Sequence, residues 1–207
     1  MAGDYIKDIW EEFECELGDG DEHTPPELKN VKAIIWKEEF QELLQDILKT
    51  LKAKNISDLG EYSEDVIKAI IVVFHYPIDE KQEIRRRKAM QRETFEVAHV
   101  LPLDKKEAYF IRNTLGSIMD RFRWLVSIYG ERWEELSENE KKQVIIHELL
   151  HIKPGKPFNT RPHNRIDREY DIMEKYLQAK NEEITQKAEM IAVAQIRKKK
   201  KVIEDER

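Results

Sequence analysis

The feature that most constrains this chain is the segment Val144–Ile152, in which a His-Glu-x-x-His motif lies inside an apolar run. If the segment is helical, His147 and His151 are four residues apart and share one face, so both can bind one metal ion. Glu148 follows His147 directly and can approach a water molecule bound to that ion. Two imidazoles, a hydrolytic metal ion and a carboxylate base make up most of a metallopeptidase site.

The helix that carries this motif has a start signal and a stop signal. Residues 137–140, Ser-Glu-Asn-Glu, form the pattern of a capping box, in which Ser137 accepts from the first turn and Glu140 reaches back. Pro154 and Gly155 then end the helix. The alternative is an amphipathic helix whose polar residues merely face solvent. The apolar neighbours of the two histidines favour the metal site.

A third ligand must come from elsewhere, and His163 is the nearest spare imidazole, twelve positions after His151. A catalytic zinc ion commonly takes three N/O ligands and a water molecule. Asp167 and Glu169 are alternative carboxylate ligands, and a loop histidine that binds no metal is a further alternative. The spacing is too long for the metzincin pattern, which needs a Gly and a His within a few residues.

A mechanism follows from this set of residues. A bound Zn²⁺ would lower the pKa of its water molecule, and Glu148 would take a proton from that water as it attacks a peptide carbonyl. Tyr170 or Arg161 could stabilise the oxyanion. The predicted strand that ends at Tyr129 could offer an edge along which an extended peptide substrate pairs.

Composition excludes several other classes of protein. Charged residues make up 38% of the 207 residues and apolar ones 40%, which is enough for a core surrounded by solvated helices. The one cysteine excludes an intramolecular disulfide and a cysteine-based zinc finger. We find no secretory apolar segment and no 18-residue apolar run, so a cytoplasmic protein without membrane contact is expected. The net charge of −6 argues against a uniformly nucleic-acid-binding surface.

Residues 1–60 are predicted to form a helical extension. Residues 1–22 are strongly acidic, with apolar residues at helical spacing, which predicts a short acidic helix. That helix would either dock on the surface as a solvated element or cover a basic surface or the cleft. A second helix is predicted from about Pro25 to Asn55, with a long apolar stripe.

The remainder is predicted to alternate strands and helices. Strands are expected at 70–76, 94–101 and 121–129, a helix at 104–116, and one long helix from about Arg165. The basic run 197–201 is interpreted as a disordered, solvated end. Together with Arg85, Arg86, Arg87 and Lys88, that run could instead contact nucleic acid.

Four segments carry a resemblance to a known family. They are residues 122–130, residues 133–137, the motif segment 144–152 and Arg161-Pro162-His163. Over residues 62–170 the chain resembles the small zincin-like metallopeptidases of archaea and phages, which are similar in plan to SprT-like peptidases. The resemblance implies that His163 is the third ligand. Asn164 stands where the family pattern has Asp, and Asp167, one turn further on, is left as a candidate for supporting the ligands.

The predicted fold is α+β and mainly helical, with a minimal zincin-like core of a small antiparallel or mixed sheet and a zinc-binding helix. Residues 61–180 would form that core, between the extension 1–60 and a helical, charged tail at 181–207. The predicted function is a zinc metallopeptidase that acts on a protein or peptide. The alternative is a non-catalytic zincin-like adaptor associated with nucleic acid.

Overall fold

The computed structural model describes residues 12–17, 28–57, 59, 62, 64–90, 97–103, 122–153, 160–161 and 169–205. Its strands are β1 Phe13–Leu17, β2 Val31–Ile35, β3 Ile70–Pro77, β4 Ala98–Pro102 and β5 Trp124–Tyr129. They form one mixed sheet in the order β1-β2-β3-β5-β4, in which β3 and β5 are parallel and the other neighbours antiparallel. The predicted α+β class with a small mixed sheet is confirmed.

The helices are α1 Glu38–Ala53, α2 Glu64–Lys68, α3 Glu80–Met90, α4 Gly130–Glu135, α5 Glu138–His151 and α6 Glu169–Asp205. The His-Glu-x-x-His motif therefore lies in the last turns of α5. Helix α5 packs against α1, α6 and β4, and α6 also packs against α1. Among the described residues, no helix is both long enough and apolar enough to cross a membrane.

The central strands β3 and β5 are buried on both faces, as their continuous β-branched and aromatic sequences predict. One face presents Phe74, whose ring centroid lies 5.9 Å from that of Phe40 on α1 and 5.3 Å from that of Trp133 on α4. These edge-on aromatic contacts fix α1 and α4 against the sheet. Helices α1 and α4 therefore pack on the Phe74 face of the sheet.

The opposite face carries a buried polar cluster. Arg86 of α3 donates to the carbonyl of His75 and to Glu131, with Nη1 2.8 Å from Glu131 Oε2. Its Nη2 donates to Nδ1 of His75 at 2.7 Å, so Nε2 of that ring carries the proton and donates to Ser127 Oγ. Burial, with the charge of Arg86, lowers the pKa of His75 well below its ordinary range, which keeps it neutral.

This burial corrects one part of the predicted basic surface. Arg86 is only 4% exposed and its guanidinium is committed to the sheet and to α4, so it does not present a charge to nucleic acid. Lys88 is exposed, and the side chains of Arg85 and Arg87 lie outside the described residues. Helix α6 continues to Asp205, so the prediction that residues 197–201 are disordered is wrong.

The acidic helix predicted for residues 1–22 is wrong where the structure describes it, because residues 13–17 form β1. The strand pairs antiparallel with β2. Leu17 is buried, whereas Glu14 is exposed and forms an ion pair with Lys32 of β2 at 2.8 Å. The apolar spacing at 5–13 predicts a helix, but for residues 13–17 the hydrogen bonds offered by the edge of β2 decide the conformation.

The helix predicted from Pro25 to Asn55 is interrupted by β2 and begins only at Glu38. Within β2, Val31, Ala33 and Ile35 are buried in alternation, which is the period of a strand rather than of a helix. Trp36 follows with φ of 53°, a left-handed conformation that a continuous right-handed helix cannot contain. Its N–H instead donates to the carbonyl of Val72 in β3, which ties the β2–α1 junction to the sheet.

The predicted role of β5 as a substrate edge is also wrong, since β5 lies between β3 and β4. Within the described part of the sheet the edge beside β5 is β4, which overlaps the segment 94–101 where the sequence predicts a strand and extends one residue beyond it. The helix predicted at 104–116 lies outside the described residues. The strands predicted at 70–76 and 121–129 are confirmed as β3 and β5.

Candidate active site

Helix α5 begins with the predicted capping box. Ser137 Oγ accepts from the Glu140 N–H at 3.4 Å, and Glu140 accepts from the Ser137 N–H at 2.8 Å. The hydrogen bonds from Ser137 lower the pKa of Glu140, so the box is charged at neutral pH. The cap fixes where the helix starts, and hence which residues of the motif face the core.

The two histidines of the motif converge as their spacing predicts. Their ring centroids are 4.9 Å apart, and Nε2 of His147 lies 3.1 Å from Nε2 of His151. Glu148, between them in sequence, is 4% exposed, and His151 is 8% exposed. His147 is half-buried, so the pair is open to solvent on its side. The alternative that these polar residues merely face solvent is therefore not what the structure shows.

The orientation of His151 is set by a backbone carbonyl. Its Nδ1 lies 2.6 Å from the carbonyl oxygen of Arg161. Because a carbonyl only accepts, Nδ1 carries the proton and Nε2 carries the electron pair, which is directed towards His147. Metal-binding histidines are commonly held in this way, with the second nitrogen donating to a carbonyl or carboxylate.

The last turn of α5 is held by two residues that the sequence did not identify in this role. The Arg161 N–H donates to the carbonyl of His151 at 2.7 Å, and its guanidinium donates to the carbonyl of Leu150 at 3.3 Å. The hydroxyl of Tyr62 lies 3.2 Å from the carbonyl oxygen of Leu149 and 3.0 Å from that of Ile152. Nothing in the sequence near Tyr62 signals this contact, because Tyr62 and Ile152 are 90 positions apart along the chain.

The first half of α5 is tied to α1 by buried lysines. Lys141 donates to Glu39 at 2.6 Å, and Trp133 Nε1 donates to the same carboxylate at 2.9 Å. Burial raises the pKa of Glu39, but the hydrogen bonds from Lys141 and Trp133 outweigh it and hold this pKa below its ordinary value. Lys142 lies 3.8 Å from Asp46. Lysines are rarely buried unless they are paired, so a lysine on the buried side of a helix indicates an acidic partner.

The remaining predicted site residues are placed as follows. Arg161 contacts the C-terminal end of α5, as described above. Tyr170, in the first turn of α6, is 75% exposed. His163 and Asp167 lie outside the described residues, as does the side chain of Glu169. His99, on β4, pairs with Ser127 and so belongs to the sheet face opposite Phe74.

The pair of imidazoles fits a zinc ion by its donor chemistry. Two nitrogens bound to a tetrahedral zinc at about 2.0–2.1 Å lie roughly 3.3 Å apart, close to the 3.1 Å observed. The position at the C-terminal end of a helix also favours a cation. Within the ranges that the structure describes, no third His, Cys, Asp or Glu joins the pair to make a group of three.

Comparison with known proteins agrees with this chemistry. A family model described as "Putative phage metallopeptidase" matches residues 37–189, about three-quarters of the chain. No curated protein and no solved structure matches the chain. The match confirms the metallopeptidase resemblance; similarity in plan to SprT-like peptidases stays a prediction. The chain, with its two convergent histidines and buried glutamate, therefore belongs to this phage family of metallopeptidases, which are hydrolases of peptide bonds.

Proposed function

We propose that this protein is a zinc-dependent peptidase in which His147, His151 and His163 bind the metal ion and Glu148 is the general base. The observation that carries the proposal is the convergence of the two Nε2 atoms at 3.1 Å, beside a carboxylate that is only 4% exposed. The hydrogen bond from His151 Nδ1 to the Arg161 carbonyl leaves the electron pair on Nε2, the nitrogen that would bind metal. Membership in the metallopeptidase family agrees with this assignment.

The choice of His163 is supported by the position of Arg161. That residue is bound through its N–H and its carbonyl to His151, so the chain returns to the metal-binding end of α5 there. Two residues span at most about 7 Å, so a loop that leaves Arg161 can bring the imidazole of residue 163 to the histidine pair. An imidazole from this loop would complete the three-nitrogen set of a catalytic zinc, with a fourth position for water.

The mechanism assigns the chemistry to few groups. When bound, zinc would lower the pKa of its water molecule and polarise the carbonyl of the scissile peptide. Glu148 would accept the proton of the attacking water and would deliver it to the leaving amine, so its carboxylate would carry the proton between the two. Burial of Glu148 keeps competing water away from the carboxylate, so its proton is available to the leaving group. Roles for Tyr170 and Asp167 stay predictions.

The substrate is proposed to be an extended peptide that pairs with β4. This strand packs against α5 and is the edge of the described sheet on that side. The backbone groups of an edge strand can bind a peptide as an added strand, independently of its sequence. A protein or peptide substrate is what a peptidase family implies.

The test combines metal analysis with cleavage of a denatured casein by the full chain. We expect one zinc ion per wild-type chain. Glu148→Gln should keep zinc and lose activity by about 10²–10⁴-fold, because only the proton acceptor is removed. Glu174→Gln, an exposed carboxylate on α6, is the matched control and should retain activity. Equal cleavage by Glu148→Gln and wild type would refute the catalytic assignment.

The third ligand is tested by His163→Ala in the same assays. Loss of one imidazole should weaken zinc binding and abolish cleavage. His23→Ala, a histidine outside the family match, is the control and should change neither property. If His163→Ala binds zinc as tightly as wild type, His163 is not the ligand, and Asp167→Ala becomes the next variant to measure.

A further inference from the structure

The backbone carbonyls at the C-terminal end of α5 have hydrogen-bond donors outside the helix. The last carbonyls of a helix have no partner within it and must find donors elsewhere. Here donors from outside the helix lie within hydrogen-bonding distance of four successive carbonyls, from Leu149 to Ile152. Arg161 donates to the carbonyls of Leu150 and His151. The Tyr62 hydroxyl, which has one proton to donate, lies 3.0 Å from the carbonyl oxygen of Ile152 and 3.2 Å from that of Leu149, and the latter also accepts from the Ile152 N–H. The donors come from both sides of α5 in the sequence.

Tyr62 is itself held in place by local structure. Its N–H donates to the carbonyl of Leu59 at 3.1 Å, and Leu59 is fully buried in the core. Helix α2 starts two residues after Tyr62 and leads into β3. The side chain is partly buried against the core. The backbone and the ring of Tyr62 are thus held by the core, and its hydroxyl reaches the end of α5.

The two carbonyls within reach of the Tyr62 hydroxyl flank His151. Leu149 lies two residues before His151, and Ile152 directly follows it. Ile152 also forms a β-bridge with Thr160, next to the residue whose carbonyl orients the His151 ring. A shift of the Ile152 peptide would move both the His151 backbone and the bridge that carries that carbonyl. One hydroxyl therefore acts on two determinants of the ring position.

We propose that Tyr62 is a positioning residue for the metal site, which sets the orientation of His151 through the last turn of α5. The inference rests on the proposed function for the statement that His151 binds zinc. It assigns to residue 62 a role beyond packing, because a purely apolar contact there would need only the ring. The hydroxyl is the part that reaches the carbonyls.

The test is Tyr62→Phe in the full chain, which keeps the ring and removes the donor. Tyr76→Phe is the matched control, since the Tyr76 hydroxyl donates to Glu134 at 3.1 Å, away from the end of α5. The first measurement is amide hydrogen exchange of the metal-free protein at Ile152 and Arg161, whose N–H groups close the last turn and its bridge. The second is the zinc dissociation constant, by competition with a chromophoric chelator.

In Tyr62→Phe we expect exchange at these two amides to accelerate roughly five- to tenfold. Zinc should bind about 10- to 100-fold more weakly, as is typical when a group that orients a ligand is lost. Tyr76→Phe should leave both values unchanged. Unaltered exchange in Tyr62→Phe, or unaltered zinc affinity in a protein that binds zinc, overturns the inference.

Failure of the proposed function gives a different result. If the wild-type chain binds no zinc, the proposed function fails, and zinc affinity can no longer test the role of Tyr62. The exchange rates in the metal-free protein would then decide alone whether the hydroxyl fixes the last turn of α5, and Tyr62→Phe with wild-type exchange would refute it.

Discussion

Asp46 of α1 joins three helices, and its replacement by Asn tests how α6 is held against the core. One carboxylate oxygen accepts from Lys180 and the other from Tyr176, both on α6, and Lys142 of α5 lies 3.8 Å away. Tyr176 is fully buried, whereas the Asp46 side chain is 35% exposed. Asn has the same shape, but only one of its two terminal atoms accepts.

The magnitude follows from this division of partners. The amide oxygen introduced by Asp46→Asn would accept from Lys180, and its N–H₂ group would then face the Tyr176 hydroxyl, which would have to turn and accept instead of donating to a carboxylate. A hydrogen bond to a charged group contributes about 1.5–3 kcal/mol. Partial exposure of Asp46 and Lys180 to solvent places the loss towards the lower part of this range. We expect Asp46→Asn to lower the free energy of unfolding by about 2 kcal/mol at neutral pH.

The difference should depend on pH in a defined direction. Burial raises the pKa of Asp46, but the hydrogen bonds from Lys180 and Tyr176 outweigh burial and hold it below its ordinary value. A carboxyl whose pKa is lowered by folding stabilises the protein above its unfolded pKa of about 3.9. That stabilisation is lost as pH falls through the folded pKa. The gap between wild type and Asp46→Asn should therefore be full above about pH 5 and narrow towards about pH 3.

The assay is urea unfolding of both proteins from about pH 7 to about pH 3, with the free energy of unfolding as the measured quantity. Glu183→Gln is the control, because Glu183 is a second partner of Lys180 at the longer distance of 3.4 Å, whereas the buried Tyr176 donates to Asp46. Its effect should stay within about 0.5 kcal/mol. Equal stability of Asp46→Asn and wild type at neutral pH would show that α6 is held by apolar packing alone. A gap that does not narrow at low pH would show that the carboxylate charge is not its cause.

Two further predictions concern the support of α5. Trp133→Ala should lower the free energy of unfolding in urea by about 3–5 kcal/mol. The side chain is fully buried against Phe74, and its indole N–H donates to Glu39. A loss below about 1 kcal/mol would mean that the cavity collapses. Ser137→Ala should lower the free energy of unfolding by about 1 kcal/mol through loss of the cap. Zinc affinity should not change, since the cap lies at the opposite end of α5 from the histidines. A change in zinc affinity would contradict that separation.

The correctly predicted elements are those whose determinants are close in sequence. The capping box of Ser137 and Glu140 needs only four consecutive residues. The convergence of His147 and His151 needs only the pitch of a helix. Strand β3 is recognised because its continuous apolar sequence suits a strand buried on both faces.

The errors arise where the partner of a segment lies far along the chain. Residues 13–17 have acidic and apolar side chains that suit a helix, yet they form β1 because β2 offers a ladder of hydrogen bonds. Arg86 has the sequence context of a solvated basic cluster, but it is buried because His75 and Glu131 face it from β3 and α4. Within the described residues the edge strand on this side of the sheet is β4 rather than the predicted β5, since strand order cannot be read from strand sequence.

The sequence alone determined the chemistry of the candidate site: two histidines and a glutamate on one capped helix, at a spacing that the geometry of the helix turns into a pair of convergent imidazoles. Only the tertiary structure decided which ring nitrogen of His151 carries the proton and what holds the end of α5. Those depend on the Arg161 carbonyl and on the Tyr62 hydroxyl. The physical reason is that a hydrogen bond acts over about 3 Å in space, whatever the separation of its donor and acceptor along the chain.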